Sequence, residues 1–180
     1  MELEEKYLSR KEIFSGRIIH VVIDTVELPD GTESTREVAY HPDGVGILAL
    51  TDRDEVLLVR QYRYPIERVI YEIPAGKMDP GETDTEAAAI RELREETGAV
   101  AGAFEPFGSC LVSPGFCDET LHLYRAADLR FGQQDLDEDE FLNVERIAFD
   151  KALAMVESGE INDAKTCIAI LREALLRKGS

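Results

Sequence analysis

The stretch Gly76 to Val100, GKMDPGETDTEAAAIRELREETGAV, constrains this chain more than any other. Its second half predicts a helix. Thr83-Asp84-Thr85-Glu86 has the S/T-x-x-E spacing of a capping box, and Gly98 stands where a left-handed C-cap ends a helix. Glu92, Glu95 and Glu96 lie at i, i+3 and i+4, so they project from one arc. Ile90 and Leu93, with Ala87 and Thr97, fall on a different arc and are expected to face a core. Glu82 lies in the loop that leads into the helix. Like charges at i and i+4 destabilise a helix by a few tenths of a kcal/mol. Crowding Glu92 against Glu96, with Glu95 alongside, therefore calls for a compensating cation. Oxygen-only ligands suit Mg2+, with Mn2+ as a substitute. A helix rich in Glu and Arg is by itself more often a solvated face. The glycines at fixed places around it, and the apolar Ile73-Pro74-Ala75 before it, favour a site.

With 180 residues the chain is long enough for one substantial core and short for two independent domains. A hydrophobic content of 44% beside 32% charged residues is that of an ordinary globular protein. The net charge of -17 argues against nucleic acid or an anionic membrane as partner. It also repels phosphates, so a phosphate-binding site needs bound cations and a few arginines to reverse the field locally. No apolar run approaches membrane-span length, and the start MELEEKYLSRKE has no apolar signal core. Cys110, Cys117 and Cys167 show no metal spacing and suit a reducing cytoplasm as small, buried or half-buried fillers. His20, His41 and His122 show no ligand spacing and read as structural.

Along the chain, residues up to about Glu12 read as a polar lead-in. Arg17–Leu28 and Ser34–His41 are strands joined by the turn Pro29-Asp30-Gly31-Thr32. Val45–Thr51 and Glu55–Tyr62 predict a second pair across Asp52-Arg53-Asp54, and Arg68–Ile73 a short strand before the acidic stretch. Phe104–Val112, Thr120–Asp128 and Phe141–Ala148 are further strand candidates. Helices are expected over Asp150 to about Glu157, and from Asn162 or Asp163 as cap to about Arg177. Strand pairs around one central helix, with helices at the end, predict a mixed sheet packed between helices.

The acidic stretch resembles the box of the Nudix hydrolase family: Gly, five residues, Glu, seven residues, then Arg-Glu-apolar-x-Glu-Glu-x-Gly-apolar. Gly76, Glu82, Arg91, Glu92, Leu93, Glu95, Glu96, Gly98 and Ala99 take those places. One departure is visible: Thr83 to Ile90 is eight residues where the common box has seven, and the extra residue falls in Thr83-Asp84-Thr85. Counting back from Arg91 then lands on Thr83, which leaves the role of Glu82 less fixed than those of the helical glutamates. Arg60-Gln61-Tyr62-Arg63, Tyr71-Glu72-Ile73-Pro74-Ala75-Gly76-Lys77, Ser113 to Glu119 and Asp137-Glu138-Asp139-Glu140-Phe141 resemble the ADP-ribose pyrophosphatase branch. The likeness spans most of residues 36 to 170.

This resemblance implies an α/β fold, the Nudix α/β/α sandwich with a mixed β-sheet, plus an N-terminal β-strand subdomain. Residues 1–42 would form that subdomain, for homodimerisation and nucleotide contact, and 43–180 the hydrolase domain. It implies metal held by Glu92, Glu95 and Glu96, with Glu82 in support and the Ala75 carbonyl as an extra ligand, while Arg91 orients the carboxylates. Arg36 and Glu37 would meet the nucleotide end, although alternating charges on a strand also read as its wet face. Arg63 can reach a phosphate with its fork, or pair with a nearby carboxylate. Glu72 has two readings, substrate or metal support and simple pairing with Arg63. Glu119 either approaches a phosphate or a metal or is a plain loop carboxylate.

The activity implied is metal-dependent hydrolysis of the pyrophosphate bond of ADP-ribose, or of a related nucleoside diphosphate sugar, with a loop glutamate as general base. Glu138 and Glu140 both qualify, and spacing does not separate them. The alternatives are a different nucleoside diphosphate derivative as substrate, or a non-catalytic ADP-ribose sensor. A sensor of that kind normally carries an added basic domain and a degraded box, and neither feature is present in this sequence.

Overall fold

The computed structural model describes residues 3–136 and 141–179. The chain divides into two compact units, Met1–Asp43 with Leu111–Thr120, and Gly44–Cys110 with Leu121–Ser180. No helix among the described residues is long and apolar enough to cross a membrane.

The first unit is built on an antiparallel sheet of β1 (Lys6–Ser15), β2 (His20–Glu27) and β3 (Glu33–Tyr40), in that order. The predicted turn joins β2 to β3. Gly31, at φ 84°, donates to Leu28 O at 2.9 Å, and Asp30 Oδ1 accepts from the Thr32 amide at 3.0 Å. The predicted lead-in is instead strand β1, exposed along its whole length. Its pairing rests on cross-strand charge rather than on an apolar period. Lys6 meets Glu27 at 2.8 Å, and Arg10 grips Asp24 through two 2.7 Å bonds.

The second unit carries two sheets, one ordered β7 (Ala75–Lys77), β4 (Gly44–Ala49), β9 (Thr120–Phe131), β8 (Ala99–Leu111). The other is ordered β10 (Leu142–Ala148), β5 (Glu55–Arg63), β6 (Arg68–Glu72). β4 pairs parallel with β9 and antiparallel with β7, so the sheet is mixed. Helices α1 (Thr85–Thr97), α2 (Phe149–Ser158) and α3 (Ala164–Lys178) complete the unit. β4 is buried at every position and feeds two cores. Val45, Ile47 and Ala49 pack with Ala88, Ala89 and Leu93 of α1, whereas Leu48 packs with Phe149, Met155 and Ile170 of α2 and α3. That is the predicted α/β/α layering.

One expected pairing is replaced. β4 and β5 do not form a hairpin ladder; one bridge, Leu50 to Val56, joins them beside the turn, and they then enter different sheets. A strand covered on both faces has no water to satisfy its backbone, so its N–H and C=O groups need partner strands on both edges. β7 and β9 take those of β4, and β10 and β6 take those of β5.

Candidate functional site

Helix α1 starts one residue later than a Thr83 cap would place it. Asp84 is the N-cap, and its carboxylate accepts from the amides of Glu86 and Ala87 at 3.1 Å each. The extra residue in this stretch is thus taken up before the helix. At the other end Gly98, at φ 69°, donates to Arg94 O at 2.8 Å, the expected C-cap. The buried face differs in part from the expected one: Ala88, Ala89, Leu93, Glu96 and Thr97 are buried, while Ala87 and Ile90 are exposed. Residues 89, 93 and 96 recur on the inner stripe of a 3.6-residue turn, which leaves 87 and 90 turned outward. Glu96 therefore belongs to the inner face.

A buried carboxylate needs donors. Glu96 is 1% exposed, and its Oε2 accepts the Ala75 amide at 2.9 Å. Next to it, Glu92 lies hard against Gly76, where an added Cβ would fall 2.0 Å from the Glu92 carboxyl carbon. Both glutamates thus turn toward the segment 75–76, which β7 docks onto β4 through Ala75 opposite Gly46 and Gly76 opposite Val45.

Arg91 gathers the remaining carboxylates. Its Nη1 donates to Glu92 at 2.8 Å and Glu95 at 3.1 Å, and its Nη2 to Glu82 at 3.3 Å, with Asp79 at 3.8 Å. Burial works to lower the pKa of Arg91, but the charge and hydrogen bond of Glu92, the bond from Glu95 and the charge of Asp79 hold it above its ordinary value. The Arg91 Nε is buried without a hydrogen-bond partner among the described residues. Glu82 also accepts the Asp79 amide at 2.9 Å, which closes the Gly81 turn.

The donors are carboxylates throughout, the set a hard divalent ion takes, and the Gly76 cradle leaves Glu92 room against the backbone. These residues fit such an ion, although no three acidic, His or Cys side chains among those described already stand as a coordinating group. The cluster is centred instead on Arg91.

Glu72, 2% exposed, is paired with Arg63: Nε to Oε2 at 2.7 Å and Nη2 to Oε1 at 3.0 Å. Two of the Arg63 nitrogens are thereby committed. Burial depresses the Arg63 pKa, but Glu72, Glu96 and Asp163 together raise it beyond its usual value. Arg36, Glu37 and Glu119 lie in the first unit. Arg36 binds Glu5 and the Thr35 carbonyl, Glu37 is exposed on β3, and Glu119 sits 3.7 Å from His41 Nδ1. Glu138 and Glu140 lie outside the described residues.

Sequence reasoning pointed to the loop from Gln133 to Glu140 but passed over how its first residues are anchored. Gln134 donates to Glu96 O at 2.5 Å and the Asp135 amide to Glu95 O at 3.0 Å, so both are tied to the last turn of α1. It also passed over Lys165, which reaches Glu72 from α3. Neither contact has a local sequence signal. The three cysteines are half-buried, within the expected buried or half-buried range.

Residues 40–167 match the NUDIX domain, and residues 5–39 match the nucleoside diphosphate sugar hydrolase N-terminal domain. The chain belongs to the Nudix family. Over 179 residues this Nudix chain is 45% identical to the ADP-ribose pyrophosphatase of Bacillus subtilis (strain 168), with 96% of each chain covered. It is 44% identical over 181 residues to the methanol dehydrogenase activator of Bacillus methanolicus, with 97% of each covered. A crystal structure of an ADP compounds hydrolase matches with a TM-score of 0.87 across 99% of this chain and 97% of that one. At 24% identity that match speaks for the Nudix fold with its N-terminal strands.

Proposed function

We propose that this Nudix hydrolase cleaves the pyrophosphate bond of ADP-ribose, or of a related nucleoside diphosphate sugar, releasing AMP and ribose 5-phosphate in the first case. The observation that carries the reading is the turning of Glu92 and Glu96 onto one backbone segment, at Gly76 and Ala75. The substrate class is supported by the name of the Bacillus subtilis relative and by the N-terminal domain match.

Nudix hydrolases are generally dependent on a divalent metal, and Mg2+ is the ion we assign here, with Mn2+ as a substitute. Glu92, Glu95 and Glu96 would hold it, with Glu82 and the Ala75 carbonyl in support. Such an ion, when bound, neutralises diphosphate oxygens and makes water acidic enough to attack near neutral pH. Arg91 keeps Glu82, Glu92 and Glu95 from splaying apart by its hydrogen bonds to all three. Glu138 or Glu140 takes the proton of the attacking water, and Gln134 and Asp135 shortly before them are tied to α1. Arg63, with Glu119, is assigned to the phosphate end and Arg36 with Glu37 to the nucleotide end, while Glu72 supports the metal shell through the segment it begins and pairs with Arg63.

We assign residues 1–42 to a subdomain that builds a homodimer. The exposed Tyr7, Leu8, Ile13 and Phe14 of β1 favour it, since apolar side chains gathered on one strand ask for cover. An odd count of three cysteines without a disulfide framework suits the reducing cytoplasm.

The test is incubation of ADP-ribose and a panel of nucleoside diphosphate sugars with Mg2+, followed by product chromatography, with and without chelator. AMP and ribose 5-phosphate that vanish with chelator are expected. Glu96→Gln keeps an acceptor for the Ala75 amide, so folding should survive, while turnover falls by more than the roughly 100-fold typical of outer ligand partners. Full turnover in that variant, or no cleavage of any panel member, overturns the proposal.

A further inference from the structure

The segment Glu72–Gly76 carries Ala75 and Gly76 to the two glutamates, and it is held from behind by the first turn of α3. Glu72 accepts from Lys165 Nζ as well as from Arg63. Lys165 Nζ also donates to Asp163 Oδ1 at 3.1 Å, and Asp163 is the residue that caps α3. Thr166, wholly buried, accepts the Ile73 amide at 2.8 Å and donates to Asp163 Oδ2 at 2.6 Å. The Pro74 carbonyl takes the Ile47 amide at 2.8 Å. From 72 to 75 every residue is therefore pinned: two to α3, one to β4, and one to Glu96.

Lys165 brings a charge from α3 to a place where packing alone asks for none. Its side chain is 12% exposed, and a buried ion pair replaced as a whole by apolar residues of similar volume is often no less stable, so the pair is not required for packing. What an apolar residue lacks is a direction. An ammonium between Glu72 and Asp163 ties the start of the segment to the helix cap at a defined height, three residues ahead of Ala75.

We propose that Lys165 is a positioning residue for the hydrolytic centre, clamping Glu72 so that Ala75 and Gly76 meet Glu96 and Glu92 in register. This rests on the reading of those glutamates as divalent-ion ligands. The Thr166–Ile73 bond supplies the neighbouring pin and survives changes at Lys165, so the segment keeps its place in the fold while its carboxylate end loosens.

Full-length wild type, Lys165→Met and Lys165→Arg are to be titrated with Mn2+ alone, followed by electron paramagnetic resonance. kcat, KM and the thermal midpoint are then measured on the same samples. Lys165→Met should weaken Mn2+ binding about 10-fold and lower kcat by about 10- to 100-fold, the range for residues that orient ligands. KM for the sugar nucleotide should move by less than about threefold, since the residue touches no substrate. Lys165→Arg should regain most of both losses. If Lys165→Met does not fold, Lys165→Leu, which likewise removes the donor to Glu72, is read by the same criteria. Unchanged Mn2+ affinity and kcat with only a lower midpoint would overturn the proposal, as would a change confined to KM. Wild type that binds no Mn2+ would instead overturn the ligand reading beneath it.

Discussion

Gly76→Ala isolates the contact on which the site depends. The added Cβ falls 2.0 Å from the Glu92 carboxyl carbon and 2.1 and 2.3 Å from its two oxygens, whereas ordinary contact begins at 3.4 Å. The carboxylate must therefore retreat by about 1.4 Å, beyond the 1 Å misplacement that can cost about 100-fold in rate. The obstacle is the end of a flexible side chain rather than backbone, so the fold gives way cheaply. What is lost is mainly the 2.8 Å bond between Arg91 and Glu92. A partly exposed charge-assisted bond of this kind falls at the low end for bonds to charged groups, about 1.5 kcal/mol, or a midpoint lowered by roughly 3–6 °C in a chain of this size. The assay pairs kcat/KM on ADP-ribose with a thermal melt, using Gly115→Ala as control, because a Cβ at Gly115 meets nothing within 4 Å. A fall of about 100-fold in kcat/KM with a melt shifted by a few degrees is expected. A Gly76→Ala enzyme within twofold of wild type would refute the requirement that Glu92 sit against that backbone.

Gly98→Ala should act on stability instead. The residue has φ 69°, and an added Cβ would lie 2.6 Å from the Gly132 carbonyl oxygen, a backbone atom that cannot swing aside. The φ alone costs about 1–3 kcal/mol, so urea denaturation should show at least that loss, and an unchanged midpoint would contradict the cap geometry. The Arg10–Asp24 pair predicts an acid limb to stability. The Arg10 hydrogen bond, against the opposing effect of burial, holds the Asp24 carboxyl below its ordinary value of 3.8. A depressed folded value means that the pair's contribution is whole above that ordinary value and is lost as pH falls through the lower one. Wild type should therefore exceed Asp24→Asn in stability by a constant margin near neutral pH, and the margin should shrink below about pH 4. A margin that persists undiminished to pH 2 would remove Asp24 from the account.

Much of the chain's local structure was legible from residues a few positions apart. The Asp30-Gly31 turn, the Gly98 and Gly159 helix stops and the Asp163 cap depend on φ preference and short side-chain bonds, which act within one turn of chain. The glutamate spacing on α1 was readable for the same reason, and with Gly76 and Gly98 it identified the family. Where local and global preferences diverged, the sequence read alone misled. Ile90 is apolar and exposed while Glu96 is charged and buried, because the sheet beneath α1 and the Ala75 amide select the inner stripe.

The tertiary structure decided what had no short-range signal. β1 joined the N-terminal sheet through opposite charges on β2, and β4 parted from β5 because each needed two new edges. Glu72 was readable as a candidate and Arg63 as a possible partner, but Lys165, ninety-three residues further on, reaches the same carboxylate from another helix. Period and capping are set by neighbours along the chain. The pairing of buried charges and the choice of strand edges are set by whichever distant groups the closed core brings within reach, and only the folded chain contains that distance.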